Sequence, residues 1–111
     1  PKIEGKNAGY NLAITGAIKD SILDVEELAV FLIEEIKEKY AANLAQRFKL
    51  SKEMFEGLSA GEILELIGKK RGMLISGGEI DTLRASEMLL EEFRSGKLGK
   101  IILEVPENLE D

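Results

Sequence analysis

Apolar residues recur at helical spacing in several separate stretches of this chain. The clearest stretch follows Asp24, and its apolar positions repeat every four residues, at Leu28, Leu32, Ile36 and Tyr40. Asp24 is a typical N-cap, because its carboxylate can accept hydrogen bonds from amides of the first helical turn. Val30 and Phe31 add apolar surface outside this stripe. We therefore expect a central helix that is packed from more than one side.

The remaining elements are predicted from weaker stripes and from their caps. Residues 11–20 and 41–48 predict short helices, and residues 49–58 a connector. Ser59 and Glu62 form a capping-box pattern for a helix that ends near residues 69–71, and Gly72 suits the turn after it. Asp81 predicts the start of a last long helix, and Gly96 its end. The residues from 100 to 105 favour an extended tail.

These elements predict an all-α fold, a small orthogonal bundle of four to five helices with a short extended C-terminal tail. We expect a single domain over residues 1–111, in which residues 1–8 are an irregular entry and residues 106–111 a frayed acidic end. A chain of 111 residues can bury a real though modest core. It begins with Pro1, which fits either a start from which Met was removed or a fragment of a longer protein.

Composition excludes several classes of site. Cysteine and histidine are both absent, so disulfides and the common zinc-ligand sets are not expected. No apolar run is long enough to span a bilayer and no signal-peptide pattern is present, so we expect no membrane partner and a cytoplasmic location. The net charge is −6, which argues weakly against nucleic acid as a partner. The charge is uneven, because residues 69–100 contain seven basic and five acidic side chains.

Nucleotide binding and catalysis within this chain are not expected. Gly-Lys pairs occur at residues 5–6, 68–69, 96–97 and 99–100, but none has the spacing of a Walker A loop or the Ser or Thr that follows it. Carboxylate pairs such as Glu34/Glu35 and Glu91/Glu92 are interpreted as solvent-facing positions of amphipathic helices. We therefore assign no catalytic, cofactor-binding or metal-binding residue.

Two basic clusters, one at each end of the 69–100 stretch, are the candidate functional residues. The first cluster ends a predicted helix, where cations are favoured by the helix dipole, so a purely structural role explains it equally well. A phosphate-contacting face is the other interpretation. The candidate RNA-binding residues are Lys69, Lys70, Arg71, Arg84, Arg94, Lys97 and Lys100. Aromatic side chains make up 5% of the chain, so an RNA partner would be recognised by its backbone and shape.

Four segments in order along the chain resemble a known family. They are N-L-A-I-T-G-A-I-K-D at residues 11–20, I-G-K-K-R-G at 67–72, S-G-G-E-I-D at 76–81 and E-F-R-S-G-K-L-G-K at 92–100. These segments are similar to the C-terminal region of the circularly permuted ribosome-biogenesis GTPases, the RbgA/YlqF family. The resemblance extends over nearly the whole chain, and the ordered set is more specific than any one segment.

The resemblance implies that residues 1–8 link this domain to a GTPase domain that binds GTP with magnesium. It also implies an all-helical domain that helps to dock the protein on ribosomal RNA during late assembly of the large ribosomal subunit. All the candidate cations except Arg84 fall in the matching segments, and Arg84 is added from its charge and helical position. The alternative is an intramolecular module, in which the first helix (residues 11–20) and the apolar tail (residues 101–103) pack on the GTPase domain and the cations only keep the domain soluble.

Overall fold

A computed structural model describes residues 24–103, which contain four α-helices and a short 3₁₀ helix. The α-helices are α1 (Val25–Ile36), α2 (Ala41–Phe48), α3 (Ala60–Lys70) and α4 (Thr82–Arg94), and the 3₁₀ helix is Lys52–Phe55. Within these residues no extended strand forms, so the prediction of an all-α fold is confirmed. The predictions for residues 1–8, 11–20 and 106–111 lie outside the described residues.

The core is built around α1, which packs against both α3 and α4, while α3 also packs against α4. Five side chains of α1 are buried: Leu28, Ala29, Leu32, Ile33 and Ile36. Val30 and Phe31 are half-buried and lie against the same core. The prediction of a central helix packed from more than one side is therefore confirmed, since an apolar stripe this wide can be covered only by two neighbours.

The predicted helix starts are confirmed by their hydrogen bonds. Asp24 accepts from the amides of Glu26 and Glu27 at 2.8 and 3.2 Å. Asp81 accepts from the amide of Arg84 at 3.1 Å. At the start of α3, the capping box is complete: the Glu62 amide donates to Ser59 Oγ at 3.2 Å, and the Ser59 amide donates to Glu62 Oε1 at 2.9 Å. These local bonds satisfy amides that have no partner within a helix.

Gly68 allows α3 and α4 to lie close together. A Cβ atom at this position would stand 2.9 Å from Ile80 Cγ2 and 3.1 Å from Ala85 Cβ. Ile80 closes a short antiparallel contact with Leu74, so the turn between the helices folds back over α3. This close approach holds the C-terminal end of α3, where Arg71 follows, against α4.

The predicted connector at residues 49–58 contains the 3₁₀ helix, whose Phe55 is buried in the core. One expectation about burial was wrong. Glu92, expected on a solvent-facing surface with Glu91, is only 5% exposed.

None of the helices in the described part of the chain has both the length and the apolar character needed to cross a lipid bilayer.

Candidate nucleic-acid interface

The buried carboxylate of Glu92 joins two arginines from different parts of the fold. Arg47 comes from the last turn of α2, and its Nε donates to Glu92 Oε1 at 2.8 Å. Arg71 caps the C-terminus of α3 and donates through Nη1 to Oε2 at 3.0 Å and through Nη2 to Oε1 at 3.2 Å. The three side chains therefore connect α2, α3 and α4 through one carboxylate.

The electrostatics of this group favour the ionised carboxylate. Burial alone would raise the pKa of Glu92, but the hydrogen bonds from Arg47 and Arg71 outweigh it, so the pKa lies below its ordinary range. The hydrogen bond to Glu92 in turn raises the pKa of Arg47. Two guanidinium groups and one carboxylate leave a net positive charge, so the paired arginines still attract anions.

Both arginines remain partly accessible to solvent. The side chains of Arg47 and Arg71 are 35% and 30% exposed, whereas that of Glu92 is 7% exposed. The Arg71 guanidinium also lies 4.8 Å from the centre of the Phe48 ring, within the range of a cation–π contact. Glu92 and Phe48 thus hold Arg71 from two sides and leave part of its guanidinium group facing outward.

Two neighbouring depressions surround the paired arginines. One, of about 390 Å³, is lined by Phe48, Lys70 and Arg71, and the other, of about 460 Å³, by Asn43, Gln46 and residues 96–99. Arg47 and Lys49 line both depressions. We define the basic patch as the five cations that line them: Arg47, Lys49, Lys70, Arg71 and Lys97. None of the described residues that line either depression is acidic.

Backbone geometry positions the lysines of the patch. Lys49 ends α2 in the left-handed conformation with a φ of 57°, and its amide donates to carbonyls of the last turn. The Lys97 amide donates to the carbonyl oxygen of Glu92 at 2.9 Å. Lys70 is exposed in the last turn of α3. These cations therefore sit at helix ends, where the helix dipole favours them.

The patch contains three of the seven predicted cations, Lys70, Arg71 and Lys97. The other four are exposed and line neither depression: Lys69, Arg84, Arg94 and Lys100. Arg84 lies in the first turn of α4, at the opposite end of that helix from Glu92. The role of all seven in RNA binding stays a prediction.

Sequence reasoning missed Arg47 and Lys49. Both lie in a stretch, residues 21–60, where acidic side chains outnumber basic ones eight to five, so the charge count directed attention elsewhere. A usable signal was present, because both cations fall at the end of the predicted 41–48 helix, as the Lys69 cluster does at the end of its own helix.

The turn that presents Lys97 depends on Gly99. Asn43 Nδ2 donates to the carbonyl oxygen of Leu98 at 2.9 Å, and a Cβ atom on Gly99 would lie 2.7 Å from that same nitrogen. The φ of Gly99 is +91°, a conformation that other residues rarely adopt. Gly96 has a similar φ of +82°, but nothing lies within 4 Å of its Cβ position.

Gly99→Ala is expected to lower the free energy of unfolding by about 2 kcal/mol, because the added Cβ atom displaces the Asn43 amide from its hydrogen bond to Leu98 and adds backbone strain. Gly96→Ala is the matched control and should cost only about 1 kcal/mol, from backbone strain alone. Urea unfolding of both variants measures the difference. Equal losses would show that the contact with Asn43 contributes nothing.

Comparison with known proteins finds similar sequences among the ribosome biogenesis GTPases. The chain is 44% identical over 107 residues to ribosome biogenesis GTPase A of Bacillus cereus, a match that spans 96% of this chain and 35% of that protein. It is 38% identical over 109 residues to the same enzyme of Bacillus licheniformis, spanning 98% of this chain and 38% of the relative. The resemblance to the ribosome-biogenesis GTPases is confirmed.

A third relative of this chain comes from another bacterial genus. The probable ribosome biogenesis GTPase A of Mycoplasma genitalium is 29% identical over 104 residues, which span 94% of this chain and 35% of that protein. The chain therefore corresponds to little more than one third of the length of these relatives. No model of a known protein family matches the chain.

Proposed function

We propose that this chain is the RNA-docking domain of a GTPase that assists late assembly of the large ribosomal subunit. The observation that supports this most strongly is the basic patch, where three lysines surround two arginines held by a buried carboxylate. The relatives are ribosome biogenesis GTPases by name. Ribosomal RNA is the anionic component that a ribosome-assembly protein with such a patch would bind.

The chemistry of the patch favours the RNA backbone over the bases. Arginine matches phosphate oxygens with its planar fork, and lysine adds a point charge that contributes to binding at low salt. The aromatic ring that lines the patch, Phe48, is 1% exposed beneath Arg71 and is not available for base stacking. Binding would therefore follow the shape and phosphates of folded RNA. Lys69, Arg84, Arg94 and Lys100 would extend this contact around the patch.

Catalysis belongs, in this proposal, to the part of the protein that the relatives have in addition to this domain. That part would bind and hydrolyse GTP with magnesium, while this chain supplies no catalytic residue. Among residues 24–103, no group of three or more acidic side chains is arranged to hold a metal ion. The nucleotide state of the GTPase domain would then set the orientation and release of the docked domain, within the cytoplasm.

A salt titration tests the proposal. The 111-residue chain should bind a labelled RNA hairpin with an affinity that falls steeply with salt. Replacing Lys49, Lys70 and Lys97 together with alanine should weaken binding by about 10- to 100-fold at low salt and reduce the salt slope by about 2. Filter binding across a salt series measures both quantities.

A second triple variant supplies the matched control. Lys37, Lys39 and Lys52 line other cavities of the molecule, so their replacement changes the net charge equally but leaves the basic patch intact. This variant should retain most of the affinity and the slope. If the two triple variants weaken binding equally, the patch has no special role; if the chain does not bind RNA, docking on RNA is rejected.

The second candidate, an intramolecular module, is favoured by apolar side chains that remain at the surface. Ile102 is 67% exposed, although the Tyr40 hydroxyl accepts from its amide at 3.2 Å and so holds the tail against the start of α2. Leu74 and Ile75 are each 49% exposed. A GTPase domain packed on these side chains would leave the basic patch unused. The salt titration separates the two candidates, since this one predicts no patch-dependent RNA binding.

A further inference from the structure

We propose that Glu92 is a positioning residue for RNA binding: it presets Arg47 and Arg71 as a rigid pair of guanidinium groups that grips neighbouring phosphates of a folded RNA. This inference rests on the proposed function and deepens it. Its unusual consequence is that a negative charge inside a phosphate-binding surface strengthens binding rather than weakening it.

The two arginines keep hydrogen-bond donors that Glu92 does not use. A guanidinium group has five N–H donors. Arg71 uses one N–H from each of Nη1 and Nη2 on Glu92, and Arg47 uses its Nε–H. Each arginine therefore keeps at least three N–H groups that are not bonded to Glu92. Because both side chains are about one third exposed, these donors can reach an acceptor from solvent.

Glu92 is more deeply buried than the two arginines that it holds. Glu92 is 5% exposed, so it is not itself in the path of an approaching phosphate. Its backbone is fixed within α4, and its carbonyl oxygen also accepts from the Lys97 amide and from Ser95 Oγ. The carboxylate is therefore a fixed anchor below the surface, and the arginines are the groups above it.

Ordering a long side chain on binding costs conformational entropy. A free arginine loses rotamer freedom when it binds a phosphate, at a cost of about 0.5–1.5 kcal/mol for each side chain. Arg47 and Arg71 are already ordered by Glu92, and Arg71 is also held over Phe48. The two arginines therefore lose this rotamer freedom when the chain folds, before RNA binds. Lys49, Lys70 and Lys97 add an electrostatic attraction that is less directional than the hydrogen bonds of the arginines.

The decisive test compares Glu92→Gln with Glu91→Gln in the 111-residue chain. Both substitutions remove one negative charge from adjacent positions of α4, but Glu91 is exposed and Glu92 is buried. Simple attraction predicts that both variants bind RNA more tightly. The positioning role predicts instead that Glu92→Gln weakens binding about three- to tenfold, while Glu91→Gln binds equally or more tightly.

The measurement is the dissociation constant for a labelled RNA hairpin, and for a DNA duplex of the same sequence. It is made at a temperature where circular dichroism shows each variant to be folded. A weaker Glu92→Gln variant beside an unchanged Glu91→Gln variant supports the inference, and a preference for the RNA over the DNA assigns the phosphates to RNA. Tighter binding by both variants overturns it while leaving the proposed function intact. Absence of binding by the unmodified chain rejects both.

A second substitution keeps the test informative if Glu92→Gln does not fold. Arg71→Lys preserves the charge but removes the planar fork, so it should weaken binding about threefold or more. Lys52→Arg, a charge-preserving change at a cation that lies outside the basic patch, is the control and should bind like the unmodified chain. If Arg71→Lys also binds like the unmodified chain, the preset pair of arginines contributes nothing.

Discussion

Leu89→Ala is expected to lower the free energy of unfolding by about 2–5 kcal/mol. Leu89 lies in α4 and is completely buried, in the helix that contacts both α1 and α3. Removing its side chain would leave a cavity that rigid neighbouring helices fill only in part. A domain of this size has only about 5–15 kcal/mol of total stability, so a loss of this size removes a large fraction of it.

Leu83→Ala provides the matched control for this prediction. It is the same substitution in the same helix, but Leu83 is 51% exposed. Its cost should stay within about 0.5 kcal/mol, as for most surface substitutions. Urea unfolding at neutral pH, followed by circular dichroism, measures both variants. Similar losses at the two positions would contradict the packing of α4 described above.

Glu92→Ala is expected to lower the free energy of unfolding by about 1.5–3 kcal/mol at neutral pH, because three charge-assisted hydrogen bonds are lost. The cost stays below the value of about 3–5 kcal/mol for fully buried ion pairs, since Arg47 and Arg71 can regain contact with water. Glu91→Ala removes a neighbouring exposed carboxylate and should have little effect.

The loss at Glu92 should also depend on pH in a defined direction. The pKa of Glu92 in the folded chain lies below its ordinary value, so folding favours the ionised carboxylate. Its contribution is therefore fully present above the ordinary pKa of a glutamate and is lost as the pH falls through the lowered pKa. The difference in stability between the unmodified chain and Glu92→Ala should shrink below about pH 4. Urea unfolding across an acidic pH series measures it, and a constant difference would contradict the ion-pair geometry.

Charge counting along the chain predicts only in part which cations lie together in the fold. Lys70 and Arg71 come from the first sequence cluster and Lys97 from the second, and all three line the basic patch. The same count gave equal weight to Lys69 and Arg84, which line neither depression. It omitted Arg47 and Lys49, because a local net charge does not indicate which helix end will lie next to which other.

The buried carboxylate is the feature that pattern reasoning assigned to the wrong surface. Glu91 falls outside the apolar stripe of Ala85 and Leu89, but Glu92 falls on it, seven residues after Ala85 and three after Leu89. Helical spacing therefore favours burial at position 92, and only the charge of the side chain led to its assignment to the surface. Glu92 is nevertheless buried, because two arginines from other elements cover it and satisfy its charge. Without those partners, burial of a carboxylate at this position would be strongly unfavourable.

The sequence by itself determined the α-helices of residues 24–103 and the side-chain caps that begin α1, α3 and α4, because a 3.6-residue period and a capping side chain act between residues only a few positions apart. The resemblance to the ribosome-biogenesis GTPases was likewise evident from short segments. Only the tertiary structure decided that Glu92 meets Arg47, 45 residues away, and Arg71, 21 residues away. Such contacts depend on how closely the helices pack, and that packing is set by distant side chains, as at Gly68 between α3 and α4.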